Sequence, residues 1–366
     1  MRANVLIDGS KILDVGDRQP ADGDVVFDAH DRIVTPGLID IHAHVYHGMG
    51  VYSIDPARAG LMTGVTTLLD AGSAGSLNYG TFHEYVMPQA REDVFALLNI
   101  AQMGVHGYRA IEPFVGDLHE IRRIHVPSAV QCIEAHGDRI VGTKVRLTAV
   151  LADHRKENEY AGLHGVVEAA KRTNLPCMIH HASSAIPQPE MLDALRAGDI
   201  VTHMYHGRGD GGFTDPGGAP TDAMRRARDR GILFDVGHGV GSFDWSVAEP
   251  ACREFGFWPD LIGTDVHAFN VGGPVYDLPT TMSKFLYLGM SLENVIRACT
   301  SVPARAIRLD DSRGWIKPGF TADISILDMQ EGNVELADVE GDLRMTDRRL
   351  VPVATFKDGK LFRCGK

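Results

Sequence analysis

His42 and His44 stand two residues apart at the end of the apolar run Leu38-Ile-Asp-Ile-His-Ala-His44. Side chains of a strand alternate between its faces, so both imidazoles point to the same side. Similar runs end on His180 (Cys177-Met-Ile-His), on His203 (Ile200-Val-Thr-His) and on Asp265 (Leu261-Ile-Gly-Thr-Asp), and Lys144 lies within Ile140-Val-Gly-Thr-Lys-Val-Arg-Leu147. Any one of these histidines alone would read as a satisfied core or loop residue. Together, imidazoles and a carboxylate at the same ends of their strands form the donor set of a divalent metal site. Zinc comes first; manganese, iron and cobalt accept the same ligands. An ammonium has no lone pair to offer a cation, so a lysine facing such a site must be neutral or modified.

Residues so far apart in sequence need a fold that gathers them. Eight short, nearly continuous apolar runs recur through the middle of the chain, the remaining three being residues 65–70, 94–100 and 232–235. Continuous apolarity marks parallel strands buried on both faces. Helical segments fill several gaps. Thr221 to Arg230 is rich in Ala, Met and Arg and stops at Gly231, and Ser291 caps a helix carrying Glu293 in its first turn. This alternation predicts an α/β chain with a (β/α)8 TIM barrel over residues 35–317, whose C-terminal strand ends converge on one face. Residues 1–34 and 318–366 predict a small β-sandwich domain built from both chain ends. Asp8-Gly9 separates two short apolar runs, Val25-Val-Phe27 follows, Ala322-Asp-Ile-Ser-Ile-Leu alternates, and Asp358-Gly359 repeats the hairpin pattern.

Composition narrows the partners. The chain has 366 residues, 44% hydrophobic and 23% charged, with 17 histidines and 40 glycines. A formal net charge of −12 repels phosphate backbones, so nucleic acid is not an expected partner. No apolar stretch approaches a membrane span, the first residues carry no export pattern, and the five cysteines are dispersed without metal or redox spacing. The expectation is a cytoplasmic protein with reduced thiols, acting on a small molecule and not on a membrane.

Val34-Thr-Pro-Gly-Leu-Ile-Asp-Ile-His-Ala-His44 resembles the first-strand signature of the amidohydrolase superfamily, and Ile316-Lys-Pro-Gly followed by Ala322-Asp-Ile-Ser-Ile-Leu-Asp328 resembles its C-terminal signature. The likeness covers nearly the whole chain. It implies that His42 and His44 bind a first metal and that His180 and His203 bind a second. Lys144, carboxylated by CO2 to a carbamate, would bridge the two. Asp265 would bind the first metal and act as general acid and base on a metal-bridging hydroxide, and the protein would form a homo-oligomer. The runs Lys144-Val-Arg-Leu, Thr202-His-Met-Tyr-His-Gly and Phe234-Asp-Val-Gly-His-Gly-Val-Gly-Ser-Phe resemble the amidohydrolase/deacetylase metallohydrolase branch, related to dihydroorotases and D-aminoacylases. The implied reaction is hydrolysis of an amide or ester of a small carboxylate-bearing substrate. Tyr46 stands where dihydroorotases usually carry an arginine, and no glutamate closely follows His180 as in adenosine-type deaminases. A cyclic amidase resembling hydantoinase, and a catalytically silent barrel serving as a binding subunit, are the alternatives.

Further residues belong to the same face. His238, in a Gly-His-Gly after the seventh run, is assigned to catalysis and substrate contact, against a loop-structural role. Arg146 is assigned to a substrate carboxylate, against an interior ion pair. His267 and Asn270 closely follow Asp265 and are assigned to the pocket. Gly207-Arg-Gly-Asp-Gly-Gly212 matches a dinucleotide-binding pattern but follows a late strand, so it reads as a mobile loop at the site. No serine has nucleophile-elbow context.

Overall fold

The structure is a computed structural model that describes residues 3–107, 114–207, 212–215 and 217–364. Residues 208–211, and with them most of the glycine-rich loop named above, lie outside the described residues.

Thirteen strands run in chain order among the described residues: β1 Asn4–Asp8, β2 Lys11–Gly16, β3 Ile33–Pro36, β4 Leu38–Ala43, β5 Val65–Gly75, β6 Asp93–Asn99, β7 Ile140–Leu147, β8 Cys177–His181, β9 Ile200–Thr202, β10 Leu233–Phe234, β11 Ile324–Ala337, β12 Leu343–Lys357 and β13 Lys360–Arg363. Strands β4 to β10 form one parallel sheet in sequence order. Every residue of β4 and β5 is buried, as continuous apolarity requires of strands covered on both faces.

The eighth run closes the ring without forming a ladder. Leu261 bridges Asp235 beyond β10, and Val266 bridges Ala43 of β4, both in parallel sense. The Asp265 amide donates to the His42 carbonyl at 2.7 Å, and the His44 amide to the Val266 carbonyl at 3.0 Å. Asp265 has φ +50°, which bends the chain out of the extended region and stops the ladder where its carboxylate must turn inward. One apolar cluster gathers Ile39, Leu69, Leu97, Val141, Met178, Ile200 and Leu261 from all around the ring. Side chains from opposite strands meeting in one cluster are the filled interior of a closed barrel.

The chain ends form two antiparallel sheets, β1–β2 and β13-β12-β11-β3. Val5 and Ile7 of the first pack on Ile324, Ile326 and Ala354 of the second. Residues 25–27 join no sheet; Val25 is fully exposed, and Phe27 packs edge-on against Phe356 at 5.6 Å. The third strand is β3 instead, straddling the boundary drawn at residue 34. Gly37 then passes so close to Thr66 that a Cβ would lie 2.2 Å from its Oγ1, which explains the glycine before β4.

The β11–β12 hairpin is far longer than its apolar runs indicate. It reaches past its own sheet, and Leu336 and Leu350 join the main barrel cluster. Its turn docks on the barrel: the Asp338 carboxylate accepts from the Trp245 amide, the Trp245 indole N–H donates to the Asp342 carbonyl, and the Val339 amide donates to the Phe243 carbonyl. No helix among the described residues is long and apolar enough to cross a membrane.

Candidate metal centre

The strand ends bring the six ligand candidates into one cluster. Nitrogens of His42 and His44 and an oxygen of Asp265 lie within 4.8 Å of one another. His44 Nε2 is 3.1 Å and His42 Nε2 3.5 Å from Asp265 Oδ1. Lys144 Nζ lies 3.4 Å from His42 Nε2. His203 stands with its ring centroid 5.2 Å from that of His42 and 4.3 Å from that of His180.

Each imidazole is held by one nitrogen and presents the other. His42 Nδ1 lies 3.1 Å from Asp235 Oδ2 and 3.0 Å from Thr202 Oγ1, and the Thr202 hydroxyl itself donates to Asp235 at 2.6 Å. His44 Nδ1 lies 2.8 Å from Ser73 Oγ. His203 Nδ1–H donates to the Gly237 carbonyl at 2.6 Å. These bonds leave Nε2 of His42 and His44 toward Asp265 and leave Nε2 of His203 untethered. His180 is tethered the other way round, with Nε2 3.2 Å from Thr148 Oγ1, which leaves Nδ1 as its untethered nitrogen. Tethering one ring nitrogen fixes both the tautomer and the orientation of a ligating histidine.

Electrostatics favour the ligating forms. Burial pushes His42 and His180 down and takes His203 down to about 3, so all three stay neutral. Burial would raise Asp265, but His42, His44 and His203 outweigh it and hold the carboxyl well below the usual carboxylate range. Burial also brings Lys144 down to about 8. Its amine touches His42 and, at 3.1 Å, Met178 Sδ, and makes no carboxylate ion pair among the described residues. Gly72 makes room for it, since a Cβ there would lie 2.8 Å from Lys144 Cβ. Neutral imidazoles, an ionised carboxylate and a lysine poised near neutrality fit a divalent cation.

The residues that support this cluster were not singled out in the sequence. Asp235, fully buried, accepts from His42, from Thr202 and, at 2.7 Å, from the Gly263 amide. Asp40 accepts the Thr264 hydroxyl at 2.5 Å and amide at 3.1 Å, locking the closing segment to β4; burial raises it to about 7. Asp70 accepts from the Val45 and Ser73 amides, which sets Ser73 under His44. Asp235 ends its apolar run as Asp265 does, so the same signal marked it. Replacing Asp235 with Asn should weaken zinc binding by about 10–100-fold while leaving the fold intact, because a supporting acceptor is lost and no ligand is. Chelator competition together with far-ultraviolet circular dichroism measures both, and unchanged affinity would show that Asp235 does not orient His42.

Three assigned contacts are corrected by their partners. Arg146 pairs its Nε–Nη2 edge with Asp117, Nε to Oδ2 at 2.6 Å and Nη2 to Oδ1 at 2.9 Å, and lies over the Tyr52 ring, the interior ion pair that is the alternative to a substrate contact. His238 is fully buried, with Nε2 2.6 Å from Lys284 Nζ and Nδ1 3.0 Å from the Gly239 carbonyl, so neither nitrogen faces the centre. Asn270 uses both ends of its amide on its own loop, accepting from the His267 amide and donating to the Asp265 carbonyl, each at 2.7 Å. Asn270 is therefore a clamp on the Asp265 loop. His267 stays beside the centre, its ring 6.3 Å from His44 and 5.3 Å from Tyr52.

Comparison with known proteins agrees with this geometry. Residues 33–362 match the amidohydrolase family. A deacetylase of Agrobacterium fabrum is 35% identical over 95% of this chain and 84% of its own length, and a deacetylase of Brucella anthropi is 34% identical over 91% and 80%. Among solved structures, one titled a dihydroorotase superposes with a TM-score of 0.88 at 33% identity and one titled an adenine deaminase with 0.90 at 28%. Each match covers 99% of this chain and 95% of the other.

Proposed function

Because the chain belongs to the amidohydrolase family and is a hydrolase, we propose that it cleaves the amide or ester bond of a small acylated carboxylate, as a binuclear metal-dependent deacetylase. One observation carries the reading: His42, His44 and Asp265 offer ligand atoms within 4.8 Å of one another, the buried Lys144 amine lies against His42, and the His203 and His180 rings pack on from His42. His42, His44 and Asp265 would hold one ion and His180 and His203 the other. Lys144 would join them as a carbamate, formed when its neutral amine adds CO2 and releases a proton. Burial favours that chemistry, because a pKa near 8 leaves a fraction of the amine unprotonated at neutral pH.

Bound divalent ions supply a water ionised near neutral pH and polarise the scissile carbonyl. The chain's own residues do the rest. Asp265, held as the carboxylate, takes the proton of the attacking water as the new C–O bond forms. It returns that proton to the nitrogen or oxygen that leaves as the acyl bond breaks. Asn270 and the backbone of His42 fix Asp265 for this exchange. Tyr52, His267 and Phe269 pack around one another beside His44 and would bound the substrate on that side.

The cyclic-amidase reading loses the position that dihydroorotases use. Tyr46 is buried, packs its ring against Phe82 at 4.7 Å and donates its hydroxyl to the Asn78 carbonyl. The zinc-loaded protein should therefore turn over N-acetyl amino acids or O-acetyl hydroxy acids with kcat/KM at least about 100-fold above dihydroorotate, hydantoins or adenine. Preference for a cyclic substrate, measured on the same panel, would overturn the deacetylase assignment and leave the hydrolase intact.

A further inference from the structure

Lys284 sits fully buried on the helix Leu278–Leu288, outside the ligand cluster. Its ammonium has three hydrogens and meets three acceptors: His238 Nε2 at 2.6 Å, the Ala337 carbonyl at 2.7 Å and the Pro274 carbonyl at 3.1 Å. Accepting from Lys284 fixes the His238 tautomer, with Nδ1–H donating to the Gly239 carbonyl, and the ring stacks on Phe243 at 4.8 Å and 15°. Burial takes this lysine down to about 7, against the pull of the Asp338 carboxylate, and its three acceptors converge on the one nitrogen.

The loop so gripped touches the centre at two points. The Gly237 carbonyl accepts from His203 Nδ1. Gly239 stands against Asp265, so close that a Cβ would lie 2.5 Å from Oδ2, and its amide donates to the Thr264 carbonyl at 3.0 Å. Both glycines have positive φ, +47° and +55°, a region that glycine enters with no Cβ penalty. His238, the side chain between them, has both ring nitrogens engaged away from the centre.

We propose that Lys284 is a positioning residue of the metal centre: through His238 it fixes the Gly237–Gly239 loop, and with it His203 and Asp265, while through Ala337 it ties that loop to the C-terminal β-hairpin. The hairpin thereby becomes part of the support of a site whose ligands all lie on the barrel. The proposal rests on the metal-hydrolase reading above.

The test uses Lys284→Met, His238→Phe, His238→Gln and the double variant Lys284→Met/His238→Phe in the full chain, with zinc affinity read by chelator competition, kcat and KM on the best acyl substrate, and circular dichroism for the fold. Lys284→Met and His238→Phe should each weaken zinc binding by about 10–100-fold and lower kcat with little change in KM. The double variant should lose no more than the weaker single, since both act through one bond. His238→Gln, whose amide oxygen can still accept from Lys284, should stay within about threefold of wild type. Multiplying losses, equal behaviour of the Phe and Gln variants, or wild-type affinity throughout would overturn the proposal. If Lys284→Met does not fold, the Phe–Gln contrast decides alone. A wild-type protein that binds no divalent ion would overturn the metal reading and this proposal together, whereas normal metal binding in every variant would remove only the role of Lys284.

Discussion

Asp265→Asn should keep its metal ions and lose turnover by about 10²–10⁴-fold, the span that positioned general acid–base groups contribute. The substitution preserves size and an oxygen toward His42 and His44, and every backbone bond that places the residue survives: the Asp265 amide still donates to the His42 carbonyl, and Asn270 still donates to the Asp265 carbonyl. What disappears is the negative charge and the capacity to take a proton. The loss corresponds to about 3–5 kcal/mol of transition-state stabilisation at about 1.4 kcal/mol per decade. Elemental analysis and kcat on the same preparation separate the two roles. Full activity with metal retained would end the acid–base assignment. Loss of metal in parallel with activity would instead make ligation the main work of Asp265.

The pattern behind that prediction was legible where chemistry coincides with strand ends. His42, His44, Lys144, His180, His203 and Asp265 could be read as one group because each ends or occupies an apolar run; the fold sets His42, His44 and Asp265 together, with Lys144 against His42 and the His203 and His180 rings beside it. The barrel was legible for the same reason, down to the eighth run, although that run closes by single bridges instead of a ladder. Contacts were less legible than positions. Arg146 shares the polar interior with Lys144, but its partner Asp117 comes from a loop between β6 and β7, and no local pattern links the two. His238 sits at the right strand end, yet Lys284, which occupies it, reads from the sequence as merely the single charged residue of its helix. The long β11–β12 hairpin escaped because residues 329–349 are largely polar; they pair with each other and pack at only a few points, so their hydrophobic alternation is weak. Sequence periodicity reports which face is buried. It does not report which distant side chain will satisfy a buried donor, and that is where all three corrected assignments fell.

Lys144→Ala should lower the metal content from about two ions per chain to about one and reduce turnover by at least about 10³-fold, because a shared ligand and several kcal/mol of charge stabilisation go together. A purely structural lysine predicts something else. Removing the three outer methylenes and the amine beside Gly72 and Met178 opens a cavity and costs about 2–5 kcal/mol of stability, with no specific effect on either metal. Two readouts distinguish these origins. Thermal unfolding registers the cavity in either case, whereas metal stoichiometry falls only if Lys144 bridges. A short carboxylate such as acetate or propionate, added to the variant, would enter the vacated space and offer two oxygens where the carbamate had offered them. Partial recovery of activity and of the second ion would then identify the missing group as an anion, which an ammonium or a neutral amine is not. One ion per chain in wild type, unchanged in Lys144→Ala and with no rescue, would exclude the bridge and leave His42, His44 and Asp265 around a single ion. The substrate preference expected above would then shift toward the mononuclear deaminase pattern, whose test substrate, adenine, is already in the panel.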